Sequence, residues 1–233
     1  NSKDTLPING LIWMGDHTFM LKQLEQKLAA GFDCIKMKVG ALDFDQELAL
    51  LKTIRERFSK DEIVLRLDAN GAFSQEEAPS KLDALAAFDI HSIEQPLQAG
   101  QWEAIATLCN NTPIPIALDE ELIGVFDTSQ KQALLDEIKP QYIILKPSFI
   151  GGFRGSQDWI YLANARKIGW WVTSALESNV GLNAITQWTY TLNPKGPQGL
   201  GTGSLYTNNI DSPLVVENGY IGYDKTRNWN TIQ

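Results

Sequence analysis

Five strand-like runs in this sequence carry charged residues where a parallel strand covered on both faces should be wholly apolar. Lys36 and Lys38 lie two apart in Cys34-Ile-Lys-Met-Lys-Val39, so both point to the same side of their strand. Asp68, Glu94, Asp119 and Lys146 stand at the ends of the next four runs, 25 to 27 residues apart, the length of one strand-plus-helix unit. Equivalent strand ends of a parallel barrel converge on its C-terminal mouth, where barrel enzymes place their catalytic groups. Three carboxylates so placed repel unless a cation joins them. A hard oxygen ligand set without His or Cys favours Mg²⁺, with Mn²⁺ as the alternative. Spare coordination positions suit a substrate carboxylate, and the charge that grows when a proton leaves the adjacent carbon describes an enolate. Lys38 is the candidate base, because Lys36 and a divalent ion beside it both disfavour a further positive charge. Lys146, across the mouth, is then a second acid/base or a fixed positive charge facing the intermediate.

Each of these residues alone has an ordinary explanation. A Lys-x-Lys pair is commonly a solvated edge, Asp68 and Asp119 could each cap a helix, and Glu94 before Gln95-Pro96 could begin a turn. None of these explains five charged strand ends in one phase.

The elements that must carry them alternate along the whole chain. Short β-branched runs at Ile8 to Trp13, Cys34 to Val39, Ile63 to Ala69, Ile90 to Glu94, Ile114 to Leu118, Tyr142 to Lys146, Trp170 to Ser174 and, more weakly, Gly199 to Gly203 give eight expected strands. Helical periodicity fills 18–31, 45–58, 76–87, 102–110, 128–138, 154–168 and 179–192. In the second of these, Leu48, Leu51, Ile54 and Phe58 share a face, with Lys52, Arg55 and Arg57 around the rest. Strands that alternate with helices form a parallel sheet, and eight such units in this length suit a closed α/β barrel. A doubly wound sheet would show a glycine-rich turn after its first strand, and Gly15-Asp16-His17 is not one. The reading is a catalytic barrel domain over residues 1–211 and an irregular C-terminal tail, 212–233, packing on it.

Composition narrows the class. The chain has 233 residues, 43% of them hydrophobic, enough to bury a large core. With 20 Lys+Arg against 28 Asp+Glu the net charge is −8, which excludes the basic stripe of a nucleic-acid or anionic-membrane binder. The expected partner is a small-molecule carboxylate, with no nucleic acid and no membrane; oligomeric state has no signal. Cys34 and Cys109 lack metal-ligand spacing and read as inert core residues of a cytoplasmic protein. No signal peptide or membrane-length apolar run is present, and a start at Asn1 rather than Met points to sequence removed upstream. His17 reads as a surface helix-start residue, His91 as a strand residue, and the Trp170-Trp171 pair as core plus barrel exterior.

The order Lys36-x-Lys38, Asp68-Ala-Asn70, Glu94-Gln-Pro96, Asp119-Glu120 and Lys146-Pro147 resembles the enolase superfamily, in its muconate-lactonizing-enzyme-like branch. The resemblance covers nearly the whole chain. It implies a (β/α)7β TIM-like barrel, Mg²⁺ held by Asp68, Glu94 and Asp119, and proton abstraction next to a carboxylate. Thr173-Ser-Ala-Leu-Glu-Ser-Asn-Val-Gly-Leu-Asn183 is similar to the o-succinylbenzoate synthases of menaquinone biosynthesis, lyases that dehydrate the cyclohexadiene carboxylate SHCHC. On that resemblance Lys38 takes the α-proton and then protonates the departing hydroxyl, while Lys146 stabilises the enediolate by charge or by a cation–π contact. It also sets Arg66 near the substrate and gives the succinyl tail to Ser174 and the backbone from Gly201 to Gly203. Glu120 is expected to hydrogen-bond a lysine or a ligand rather than a metal. Alternatives are an N-acylamino-acid racemase, a dipeptide epimerase, or a barrel that binds metal or carboxylate without turnover. Dipeptide epimerases carry an Asp-x-Asp where this chain reads Gly201-Thr-Gly-Ser204, which argues against them. Members carry an N-terminal α+β capping domain, yet this chain opens almost at the first barrel strand. The expectation is a longer full protein or a truncated homologue.

Overall fold

A computed structural model of the chain describes residues 4–229. Among these, seven parallel strands run in sequence order through one sheet: β2 (Gly10–Ile12), β3 (Cys34–Lys38), β4 (Val64–Asp68), β5 (Ile90–Glu94), β6 (Ile116–Leu118), β7 (Tyr142–Leu145) and β8 (Gly169–Val172). A helix follows each, in the order α1 (His17–Ala29), α2 (Phe44–Arg57), α3 (Ala78–Ala86), α4 (Trp102–Asn111), α5 (Thr128–Ile138), α6 (Gly152–Ala165) and α7 (Asn179–Thr191). Seven strand–helix units in this order make the TIM-like (β/α)7β barrel that the resemblance implies, with its last strand reduced to isolated bridges. Local chemistry sets the helix starts. Asp16 accepts from the Phe19 amide ahead of α1, Asp43 from Asp45 ahead of α2, and Asp127 from Ser129 and Gln130 ahead of α5. No helix among the described residues is long and apolar enough to cross a membrane.

Side chains alternate across the barrel wall. Ile35, Met37, Leu65, Leu67, Ile93, Leu118, Ile143 and Leu145 belong to one large buried cluster with the helices. The intervening positions face inward, and there the apolar cluster is small: Ala117, Ile144 and Trp171, with Tyr142 packed against them. The register pairs Lys36 with Arg66 and Arg66 with Ser92, then Lys38 with Asp68 and Asp68 with Glu94. Two charged layers therefore stack inside the wall, one pleat repeat apart.

Two expectations change. The eighth strand at Gly199 to Gly203 does not form; instead Gln198 bridges Ile8 and Gly199 bridges Thr173. The Gln198 and Gly199 amides donate to Pro7 and Val172 at 2.8 Å each, so a two-residue piece closes the ring between its edge strands. A longer ladder is disfavoured by the Pro and Gly density around it, and a Cβ on Gly199 would lie 2.2 Å from Thr173 Oγ1. The C-terminal segment is not irregular. β9 (Leu214–Glu217) and β10 (Tyr220–Tyr223) form an antiparallel hairpin, and β10 also pairs with β1 (Thr5–Pro7) in a separate three-stranded sheet. The signal was Asn218-Gly219, whose positive φ values of 51° and 75° suit a tight hairpin turn. The last four residues of the expected tail, 230–233, lie outside the described residues, as do 1–3.

Candidate active site

The charged strand ends meet at the C-terminal mouth, and lysines sit between the carboxylates. Lys36 Nζ donates to Asp68 Oδ2 and to Glu94 Oε2, both at 2.9 Å. Lys38 Nζ donates to the same Asp68 oxygen at 2.7 Å and to Asn70 Oδ1 at 2.5 Å, and Lys146 Nζ pairs with Asp119 Oδ2. Asp68, Glu94 and Asp119 are each only 1% exposed, so none relies on bulk water for its charge. Burial alone would favour a neutral Lys36 amine, but Glu94 and Asp68 outweigh it and raise its pKa. Lys146 behaves alike: burial opposes its charge, and Asp119 with Glu94 holds it. Asp68 is likewise kept ionised, well below the usual carboxylate range, because Lys36 and Lys38 outweigh its burial.

Glu94 takes the opposite sense. Burial, with Asp68 and Asp119 close by, pushes its carboxyl well above the ordinary value, and its Oε1 has no hydrogen-bond partner. As the side chains stand, no three His, Cys, Asp or Glu among the described residues form a metal-ligand cluster, since each carboxylate takes a lysine as its counter-ion. The donor set nonetheless fits a hard divalent cation. It is all oxygen and buried, and it includes one orphaned atom on the carboxylate whose charge is least well compensated.

A cavity of about 280 Å³ opens above this layer. Lys36, Lys38, Asp68 and Lys146 form its charged side, and Leu11, Trp13, Phe149 and Leu176 form an apolar side. Glu94 and Asp119 do not line it; they stand on Lys36 and Lys146. Ser174 and Gly201 do line it, and Ser174 Oγ lies 2.6 Å from Thr202 Oγ1. Arg66 and Gly203, both expected near the substrate, are not among the residues that line the cavity. Arg66 lies one layer below the mouth, where its guanidinium sits 4.0 Å over the Trp171 ring and donates to Pro197 O at 2.9 Å. Arg66 points to the same side as Asp68, and one pleat repeat separates them in depth. Gly203 packs against Asn179 and Leu182 outside the cavity.

Glu120 does not pair with a lysine; its Oε1 accepts from Asn70 Nδ2 at 2.9 Å. Asn70, in left-handed backbone at φ 45°, thereby links Glu120 to Lys38; the Asp68-Ala-Asn70 run was visible, but its role needs the fold. The capping reading of Asp68 is not met: its Oδ1 accepts from the Asn70 amide at 3.2 Å within a turn, and the next helix begins only at Ala78, with Glu77 at its cap position. Asp119 precedes a single 3-10 turn, Glu120–Leu122, without capping it through its side chain. Cys34 and Cys109 are free and buried. Trp171 is interior, while Trp170 is half-buried and donates to Asn164. Leu11, Trp13, Phe149 and Leu176 carry no site signal in the sequence, because apolar residues at such positions read simply as core.

A parallel barrel whose mouth joins lysines to carboxylates at successive strand ends defines a class, and the matching family model names it. Residues 20–226 match the family described as Enolase C-terminal domain-like, and the chain belongs to that family. Enzymes of this superfamily use a divalent metal. Over 217 residues the chain is 58% identical to an o-succinylbenzoate synthase of Desulfotalea psychrophila (strain LSv54 / DSM 12343), covering 93% of this chain and 59% of that protein. It is 29% identical over 166 residues to an L-amino acid-D/L-Glu epimerase of Francisella philomiragia, covering 70% of this chain and 45% of the relative. The crystal structure of MenC from Desulfotalea psychrophila LSv54 superposes with a TM-score of 0.88 at 56% identity, over 94% of this chain and 60% of the other. The chain thus spans less than two thirds of the length of these relatives.

Proposed function

We propose that the chain is the barrel part of a metal-dependent carbon–oxygen lyase that dehydrates SHCHC to o-succinylbenzoate in menaquinone biosynthesis. The observation that carries this reading is the mouth, where Lys38 and Lys146 line one cavity above three buried carboxylates. The 58% identity to a synthase over 93% of the chain supports the choice of reaction.

Asp68, Glu94 and Asp119 would hold Mg²⁺, with Mn²⁺ as the alternative. When bound, the ion supplies positive charge against which a substrate carboxylate makes its α-hydrogen more acidic. Lys38, as the neutral amine, takes that proton, and the C–H electron pair passes into the carboxylate to give an enediolate. Lys38 then returns the proton to the departing hydroxyl; the C–O bond breaks, water leaves and the ring becomes aromatic. Lys146, kept cationic by Asp119 and Glu94, faces the developing charge from across the cavity. Lys36 stays protonated and bridges Asp68 to Glu94, which holds the cation beside Lys38 in place. Ser174 and Gly201 border the space for the succinyl tail; Arg66 and Gly203, outside the cavity, are given no contact with it. Buried free thiols support a cytoplasmic setting.

Racemisation of an N-acylamino acid is the second reading, favoured by lysines on two sides of one cavity. Proton exchange in D₂O followed by NMR separates the two. For the lyase, Lys38→Arg abolishes both α-proton exchange and product formation, a loss of about 10²–10⁴-fold, and chelator abolishes them reversibly. Lys146→Arg slows the reaction while any remaining exchange stays on the Lys38 face. A racemase instead leaves each variant exchanging the opposite enantiomer. Dehydration of SHCHC at an undiminished rate by Lys38→Arg, or in excess chelator, sinks the mechanism.

A further inference from the structure

Gln95 is the residue on which the three carboxylate-bearing strand ends meet. It directly follows Glu94, it is fully buried, and its φ of +40° is a left-handed conformation that a non-glycine residue rarely adopts. Its backbone amide donates to Ala117 O on β6 at 2.9 Å, and its carbonyl accepts from Gly71 N at 2.7 Å, in the loop that leaves Asp68. Its side chain makes the remaining links. Oε1 accepts from the Asp119 amide at 3.2 Å and lies 3.4 Å from the Glu121 amide, while Nε2 donates to Leu97 O at 2.9 Å. One residue thus joins the loop after Asp68, the residue next to Glu94, and the backbone of Asp119 itself. All four of its polar groups are used.

We propose that Gln95 is a positioning residue that sets the spacing of the Glu94 and Asp119 carboxylates, and through it the affinity of the mouth for a divalent cation. This rests on the metal reading given above. A side chain that served only to fill a turn would not place its amide oxygen on the Asp119 amide. A residue that served only to adopt left-handed backbone would be better as glycine, which reaches φ > 0 without strain. Glycine is therefore the discriminating substitution, because Gln95→Gly keeps the backbone conformation and removes only the side-chain links.

Two readouts separate this inference from the reading it rests on. The first is titration of the protein with Mg²⁺ alone by calorimetry. Gln95→Gly is expected to bind about 10- to 100-fold more weakly than the unsubstituted protein, the usual loss when a partner behind a metal ligand is removed. The second needs no metal: amide hydrogen exchange by NMR, in which the Asp119 amide loses protection in the variant while the β4 amides keep theirs. Gln95→Met, similar in size and without polar atoms, covers the case in which glycine loosens the core, and the same two losses are expected. Unchanged Mg²⁺ affinity together with an unchanged Asp119 amide in a folded variant overturns the positioning role. Absence of Mg²⁺ binding by the unsubstituted protein overturns the metal reading and the affinity claim with it. The exchange result then still decides whether Gln95 holds Asp119.

Discussion

The two faces of the parallel sheet share one backbone and obey opposite physics. On the helix side, Ile35, Met37, Leu65, Leu67 and Ile93 sit in one continuous apolar cluster, where each buried side chain contributes roughly 1.5–3 kcal/mol. On the inner side, the neighbours of those residues are Arg66 and Ser92, together with Lys36, Lys38, Asp68 and Glu94, the last four joined by ion pairs whose desolvation offsets much of their attraction. The difference teaches that the outer face holds the barrel together while the inner face keeps charge in readiness for chemistry.

The largest effect should come from the outer face. Leu67 is fully buried, one residue from Asp68, and Leu67→Ala should cost about 2–5 kcal/mol in urea unfolding while Mg²⁺ affinity in the folded protein stays within about twofold. A folded Leu67→Ala protein that has lost Mg²⁺ binding would break the division between faces.

The inner face should respond with the opposite sign. Glu94→Gln removes a charge that burial and two neighbouring carboxylates disfavour, and it leaves Lys36 paired with Asp68. In chelator the thermal midpoint should rise by about 2–4 °C, corresponding to ~1 kcal/mol, while Mg²⁺ binding is lost. A fall as large as that of Leu67→Ala would show that the inner charges do structural work after all.

The smallest effect sharpens the comparison deeper in the barrel. At a register shift between β4 and β5, His91 packs its ring 5.1 Å from Tyr142 and 6.3 Å from Trp171. Burial, reinforced by the Arg66 charge, lowers its pKa to about 4. In the unfolded chain a histidine takes up its proton near 6.5, so the folded state loses stability relative to the unfolded one as the pH falls from about 6.5 towards about 4. Above that window the contribution is fully present. Thermal midpoints measured across this range should fall less steeply in His91→Gln than in the unsubstituted protein. Equal slopes would remove His91 as the cause.

Alternation of β-branched runs with amphipathic helices was enough to place seven strands and seven helices, because period and length are local properties of the chain. The charged strand ends were legible for the same reason: a lysine or aspartate inside a covered strand contradicts the pattern around it, whatever the fold. The hairpin at 214–223 is also locally encoded, through Asn218-Gly219 between two short β-prone runs. Other features had no local signature. That Gln198 and Gly199 could stand in for a whole strand depends on edges formed by Ile8 and Thr173, far away in sequence. Arg66 and Asp68 point the same way along one strand, and only the stacking of layers sends one to Trp171 and the other to the mouth. The apolar wall of Leu11, Trp13, Phe149 and Leu176 likewise exists only once β2, β7 and β8 are brought round the ring. Residue type and spacing determine which groups are available and on which face of a strand they lie. Their depth, their counter-ions and the cavity they share arise from contacts between strands distant in sequence, and those are decided by the closure of the barrel.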